Sequence, residues 1–288
     1  MTTTRHTRSA GRVAAIAGAG ALLVAACGSD EGEPAAAETT TTTAEATTAT
    51  VDPTIIAEEF DIGDGKTLYL QCEGEGSPTI LLEAGDESGH EDWSKVDSDL
   101  AAETRTCAYD RLGTGRSSAP ASRGMDDIIG DLDALLDKAA IEGPFIFVGA
   151  SGGGYLAVEM ATRHPEETAG LVLAETPQAI TDPPPDLVPI LKCDHETNVE
   201  RRDYVEVEHA AWDDKAQIGA FPVTVISNDP GPGAPPEEAS NVEDQMGWLV
   251  LSPGSKQVVV DSGHDVPIDE PDLVIAEILA VLEAARAG

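Results

Sequence analysis

From Thr54 to the C-terminus, apolar and polar positions recur with two periods. Lys66–Cys72 (KTLYLQC) alternates residue by residue, the pattern of a strand with one wet face. Thr79-Ile80-Leu81-Leu82-Glu83 is a short apolar run that stops at Ala84-Gly85. Trp93–Glu103 has helical spacing, and Thr104–Tyr109 reads as extended. Over Asp126–Ala140 the residues Ile128, Leu132, Leu135 and Leu136 share one helical face. Phe145-Ile146-Phe147-Val148 is apolar throughout, as a parallel strand buried on both faces has to be. A helix is predicted over Gly152–His164, ended by Pro165, with further strands over Leu171–Leu173, Val223–Ile226 and Gln257–Val260. Leu273–Ala285 closes the chain as a helix. Such alternation predicts one α/β domain over residues 54–288, a mostly parallel central sheet with helices on both faces. Pro177–Ala220 breaks it with Pro183-Pro184-Pro185 and a charged helical segment, which suits a small cap insertion.

The residues before Thr54 follow other rules. Met1–Arg12 carries Arg5, Arg8 and Arg12 and no acid, and Val13–Ala26 is small or apolar. A basic stretch, a short apolar stretch and small residues before a cut site describe a secretory signal over residues 1–26. Val24-Ala25-Ala26-Cys27, followed by Gly28-Ser29-Asp30, resembles the lipobox of bacterial lipoproteins, whose cysteine is acylated and becomes the new N-terminus. The resemblance implies lipid attachment at Cys27 and anchoring to the outer face of the bacterial cell membrane. An ordinary signal peptide with a cysteine at its cleavage site is the alternative. Residues 27–53, rich in Ala, Thr and Glu and including Thr39-Thr40-Thr41-Thr42-Thr43, hold too little apolar surface to offset the entropy of ordering. A disordered tether is expected there.

Composition narrows the chemistry. Hydrophobic residues are 41% of the 288, enough for a core, while 17 basic residues face 53 acidic ones for a net charge of −36. A surface that negative repels phosphate backbones, which excludes nucleic acid as a partner. No apolar run reaches the roughly 20 residues of a membrane-spanning helix. There is no Cys-x-x-Cys pair and no His-x-x-x-His spacing, so no metal site is expected. Gly152-Gly153-Gly154 lacks the following Lys-Ser/Thr of a phosphate loop, and no cofactor is expected.

Gly149-Ala150-Ser151-Gly152-Gly153 falls where a buried strand hands over to a helix, the context a G-x-S-x-G nucleophile elbow requires. Glycines flank the serine because a Cβ there would strike a neighbouring strand or helix. The helix beyond aims its positive end at charge developing in acyl transfer. Of six histidines, His264 in Ser262-Gly263-His264-Asp265 follows the last strand and precedes the closing helix, so it reaches the same sheet edge as Ser151. His6 leaves with the signal, and His90, His164, His195 and His209 read as solvated or capping residues.

These features resemble the α/β-hydrolase superfamily, in particular secreted bacterial esterase-like members, over about residues 60–286. Asp110-Arg111-Leu112-Gly113-Thr114-Gly115-Arg116-Ser117 looks like its D-x-x-G-x-G-x-S turn, and Leu82–Asp86 sits where members carry the segment beside the oxyanion hole. The resemblance implies the α/β-hydrolase fold and backbone N–H groups of Asp86 and Gly152 as oxyanion donors, with the Asp86 carboxylate pointing elsewhere. It places the triad acid at Asp229, after the strand Val223–Ile226, or at Glu175, after the preceding strand; Glu175 is slightly favoured. The superfamily strand order makes the strands of Cys72 and Cys107 neighbours, which implies a Cys72–Cys107 bridge with Cys193 free, a bridge from the cap being equally allowed. The function implied is hydrolysis of a small-molecule or lipid ester through a Ser-His-acid triad and an acyl-enzyme. A non-catalytic surface binding lipoprotein, or a peptidase or acyltransferase of the same fold, is the alternative.

Overall fold

The computed structural model describes residues 55–213, 215–229, 231 and 242–288. The expected signal, Cys27 and the whole of the expected tether lie outside the described residues. The elements follow in the order β1 (Ile56–Gly63), β2 (Lys66–Glu73), β3 (Thr79–Glu83), α1 (Asp97–Ala101), β4 (Thr106–Asp110), α2 (Met125–Ala139), β5 (Phe145–Ala150), α3 (Gly153–Arg163) and β6 (Thr168–Ala174). Then come α4 (Tyr204–Asp213), β7 (Val223–Asn228), α5 (Val242–Gln245), β8 (Lys256–Val260), α6 (Val266–Asp269) and α7 (Pro271–Ala287). The strands form one sheet in the order β1-β2-β4-β3-β5-β6-β7-β8. β1 and β2 pair antiparallel, β2 runs antiparallel to β4, and the other pairs are parallel.

Period-two alternation sends successive side chains of each strand into different cores. Phe145, Phe147, Leu171, Leu173 and Val225 pack with α2 and α3 residues such as Leu132, Leu135 and Leu156 on one face. Ile146, Val148, Val172 and Ile226 pack with Leu100 of α1 and with Val274, Ile278 and Leu282 of α7 on the other. The apolar run 145–148 is therefore apolar because both of its faces are covered. Where β2 and β4 lie side by side, Cys72 and Cys107 are register partners and form a disulfide. Cys193 is free.

The helix expected over Trp93–Glu103 is broken. His90–Trp93 is a tight 3-10 turn, and α1 begins only at Asp97. Trp93, Val96 and Leu100 are all buried, so the apolar spacing is satisfied by a kinked path into the core. The stretch between β6 and β7 contains turns and α4, whose Val207 and Ala211 join the α2–α3 core.

Candidate active site

A parallel sheet collects its functional loops at the C-terminal ends of its strands, and β5, β6 and β8 supply three of them here. Ser151 stands between β5 and α3 with φ 48°, a left-handed conformation costly for a side-chain-bearing residue. The sheet holds it there: the Ser151 N–H donates to Ala174 O at 2.8 Å, and Ser151 O accepts from Gly154 N–H at 3.0 Å. The turn is so tight that a Cβ on Gly149 would lie 2.6 Å from Gly154 N, and one on Gly153 would lie 2.5 Å from Glu83 O. The neighbouring crossing after β6 is built alike. Glu175 has φ 51°, and its N–H donates to Ile226 O at 2.8 Å.

The loop after β8 brings His264 across the sheet edge. Its Nε2 lies 2.8 Å from Ser151 Oγ, and its Nδ1 lies 3.5 Å from Glu175 Oε2. Glu175 is fully buried, whereas the His264 side chain is 47% exposed, so the carboxylate is enclosed and the imidazole faces the solvent. Two further groups fix the carboxylate: Asn228 N–H donates to Oε1 at 2.5 Å and Gln245 Nε2 at 2.9 Å. The Asn228 side-chain amide, with its nitrogen turned to the carboxylate, is 3.1 Å from both oxygens. The hydrogen bond to Glu175 raises the pKa of His264 above 6.5; partial burial opposes this, and the charges of Glu175 and Asp265 add to it.

Asp229 is not brought to this cluster. It is exposed, its N–H donates to Val260 O at 2.7 Å, and its Oδ1 accepts from Gly231 N–H at 3.2 Å, so it caps its own loop. Asp86 and Gly152 lie beside Ser151. Their N–H groups have no backbone acceptor among the described residues. A cavity of about 230 Å³ opens here, lined by Gly85, Asp86, Trp93, Ser151, His264 and Pro267 among others. A larger one, about 840 Å³, opens at Phe145, the opposite end of β5, and contains no nucleophile–base pair. Among the described residues no group of three or more His, Cys, Asp or Glu side chains is placed to hold a metal ion.

Sequence reasoning missed several residues. Asn228 and Gln245 at the Glu175 carboxylate carried no motif. His90 is not a solvated loop residue: its Nδ1 is 2.7 Å from Asp110 Oδ1, and its side chain is only 12% exposed. Least legible was a charge network under the Ala84–Ser88 loop. Arg111 grips Glu200 with two bonds of 2.9 Å and also donates to Ala84 O and Gly85 O. Glu200 Oε1 accepts from Glu87 N–H at 2.6 Å, and Arg202 pairs with Asp86. Arg111 lies in the Asp110–Ser117 turn, and that was the available signal; Glu200 and Arg202 come from the stretch between β6 and α4, where no pattern pointed to them.

The family described as the alpha/beta hydrolase fold matches residues 78–192, which span the Ala84–Ser88 loop, the Asp110–Ser117 turn and the elbow. Over these residues, less than half of its length, the chain is similar to that family. An uncharacterized protein, YqjL of Bacillus subtilis (strain 168), is 25% identical over 245 residues, 77% of this chain and 90% of that one. Lipase LipV of Mycobacterium tuberculosis is 33% identical over 114 residues, which cover 39% of this chain and only 43% of the lipase. Among solved structures, the enol-lactonase of Burkholderia xenovorans LB400 is similar with a TM-score of 0.63 at 20% identity, over 77% of this chain and 99% of that one.

Proposed function

We propose that this protein is an exported, lipid-anchored serine hydrolase of ester-like substrates, with Ser151, His264 and Glu175 as its triad. The carrying observation is the 2.8 Å contact from Ser151 Oγ to His264 Nε2, with the Glu175 carboxylate at the opposite ring nitrogen. Neutral His264 with its proton on Nδ1 accepts the Ser151 hydroxyl proton as Oγ attacks the carbonyl carbon. The imidazolium so formed faces Glu175, and the oxyanion faces the N–H groups of Asp86 and Gly152 and the positive end of α3. His264 then returns the proton to the departing oxygen as the C–O bond breaks. Water repeats the sequence on the acyl-enzyme. A relative named a lipase and a structural neighbour named an enol-lactonase make esters and lactones the first substrates to try.

A fluorophosphonate probe tests the reading. Wild-type protein is expected to be labelled at Ser151, and Ser151→Ala and His264→Ala are each expected to abolish turnover of p-nitrophenyl esters. Absence of labelling, or labelling that survives Ser151→Ala, overturns it in favour of a binding protein. Cleavage of aminoacyl anilides in preference to esters points instead to a peptidase. The anchor rests on the Val24–Cys27 pattern and has its own test. The full-length protein is expected to sediment with membranes and Cys27→Ala to be released; a Cys27→Ala protein that stays bound defeats the lipoprotein assignment.

A further inference from the structure

A carboxylate beside an oxyanion hole is a liability, and this site has one. The side chain of Asp86 leans over Gly152 so closely that a Cβ on that glycine would fall on the carboxylate. Negative charge already present there opposes the negative charge that develops on a substrate carbonyl at the N–H groups of the same two residues. The structure supplies a counter-charge. Arg202, only 1% exposed, reaches up from the cap beneath the Ala84–Ser88 loop and pairs through Nη2 with Asp86 Oδ1. We propose that Arg202 is a positioning residue for catalysis: it neutralises and turns aside the Asp86 carboxylate, so that the oxyanion forms beside a balanced pair.

The distribution of charge in the network singles out this partnership. Arg111 is committed to Glu200 by its two-pronged contact. Arg123 and Lys66 share Asp131, at 3.1 and 2.7 Å. Glu200 stands 3.8 Å from Arg202 Nη1, beyond hydrogen-bond length, and Nε and Nη1 of Arg202 have no hydrogen-bond acceptor among the described residues. The ring of Tyr204 covers the guanidinium, 4.6 Å from its centre. Among the described residues Asp86 is therefore the carboxylate that Arg202 holds most closely, and Arg202 the cation that Asp86 holds. Asp86 in turn is the network's outlet to the cavity, since its side chain is 36% exposed whereas Arg202, Glu200 and Arg111 are buried. The stretch between β6 and β7 thus contributes a charge to the chemistry at Ser151.

This inference rests on the serine-hydrolase reading, and the experiment separates the two. Full-length wild type, Arg202→Gln, Asp86→Asn and the double variant are compared for ester turnover and for the rate of fluorophosphonate labelling of Ser151. If Arg202 acts through Asp86, Arg202→Gln lowers kcat about a hundredfold, the scale of losing an oxyanion-hole donor, with KM changed far less. The labelling rate falls in parallel. The same substitution in the Asp86→Asn background costs at least tenfold less, because no carboxylate is left to neutralise. Equal losses in the two backgrounds reveal a merely structural arginine and overturn the proposal, as does no loss in either. Should Arg202→Gln fail to fold, Arg202→Lys in both backgrounds carries the test: relief of its loss by Asp86→Asn supports the proposal, and equal losses overturn it. Wild-type protein that is never labelled overturns both readings, whereas labelled wild type with equal losses overturns this one alone.

Discussion

The two ring nitrogens of His264 have different neighbours, and that asymmetry sets how the residue titrates. A carboxylate at Nδ1 favours the protonated ring, so the pKa of His264 lies above 6.5, and the neutral ring that the proposed mechanism needs is lost as pH falls through that raised value. Glu175→Gln removes the charge while leaving an amide that still meets the ring, but in the wrong tautomer. We expect kcat to fall by about 10³- to 10⁴-fold and the acid limb of the kcat/KM–pH profile to move to lower pH, read by steady-state assays across pH 5–9. Asp229→Asn, a change at an exposed loop cap, is expected to alter turnover by about threefold or less in the same assays. The sequence narrowed the acid to these two because each follows a strand that ends at the catalytic edge. It favoured Glu175 only slightly, since the choice depends on which loop turns inward. Glu175 is drawn in by its left-handed backbone and by Asn228 and Gln245, and no short-range pattern encodes the approach of a glutamine 70 residues away.

At the scale of elements, periodicity was legible wherever one period ran unbroken. β3 spans Thr79–Glu83 as its apolar run predicts, and α2 and α3 differ from expectation by about one residue at each end. The elements that escaped are short or aperiodic. α6 is four residues, and Met246–Leu251 is a run of mostly apolar residues with no clear period that folds as a 3-10 turn burying Trp248 and Leu251. The elbow was legible because its glycines are dictated by contact between backbones. A Cβ on Gly149 would meet Gly154 N at 2.6 Å, and both partners are main chain, so neither can swing away. Gly149→Ala is therefore expected to destabilise the fold by about 1–3 kcal/mol, as overpacking does, with the displaced elbow lowering turnover as well; urea unfolding and ester assays check the two effects.

For the whole molecule, the abundance of acid matters less at the surface than at one point inside it. Glu83 is fully buried at the end of β3, and burial pushes its pKa up to about 7 against the pull of Arg111 and the Tyr109 hydroxyl bond. An unfolded glutamate ionises near 4.5, so the folded state binds this proton more tightly, and stability falls as pH rises from about 4.5 to about 7. Glu83→Gln is neutral throughout. Its melting temperature relative to wild type is expected to be higher at pH 8 than at pH 5.5; a difference that stays flat or falls with pH refutes the assignment. The sheet also divides the three residues of the proposed triad by their tolerance of motion. Ser151 and Glu175 are threaded into consecutive strand ends through their own amide bonds to Ala174 and Ile226, while His264 rides on an exposed loop. Their amides should resist exchange with solvent deuterium until the sheet itself opens, long after those around His264 have exchanged. Warming is then expected to release the His264 loop before Ser151 and Glu175 move, because the amides of those two are bonded into the sheet.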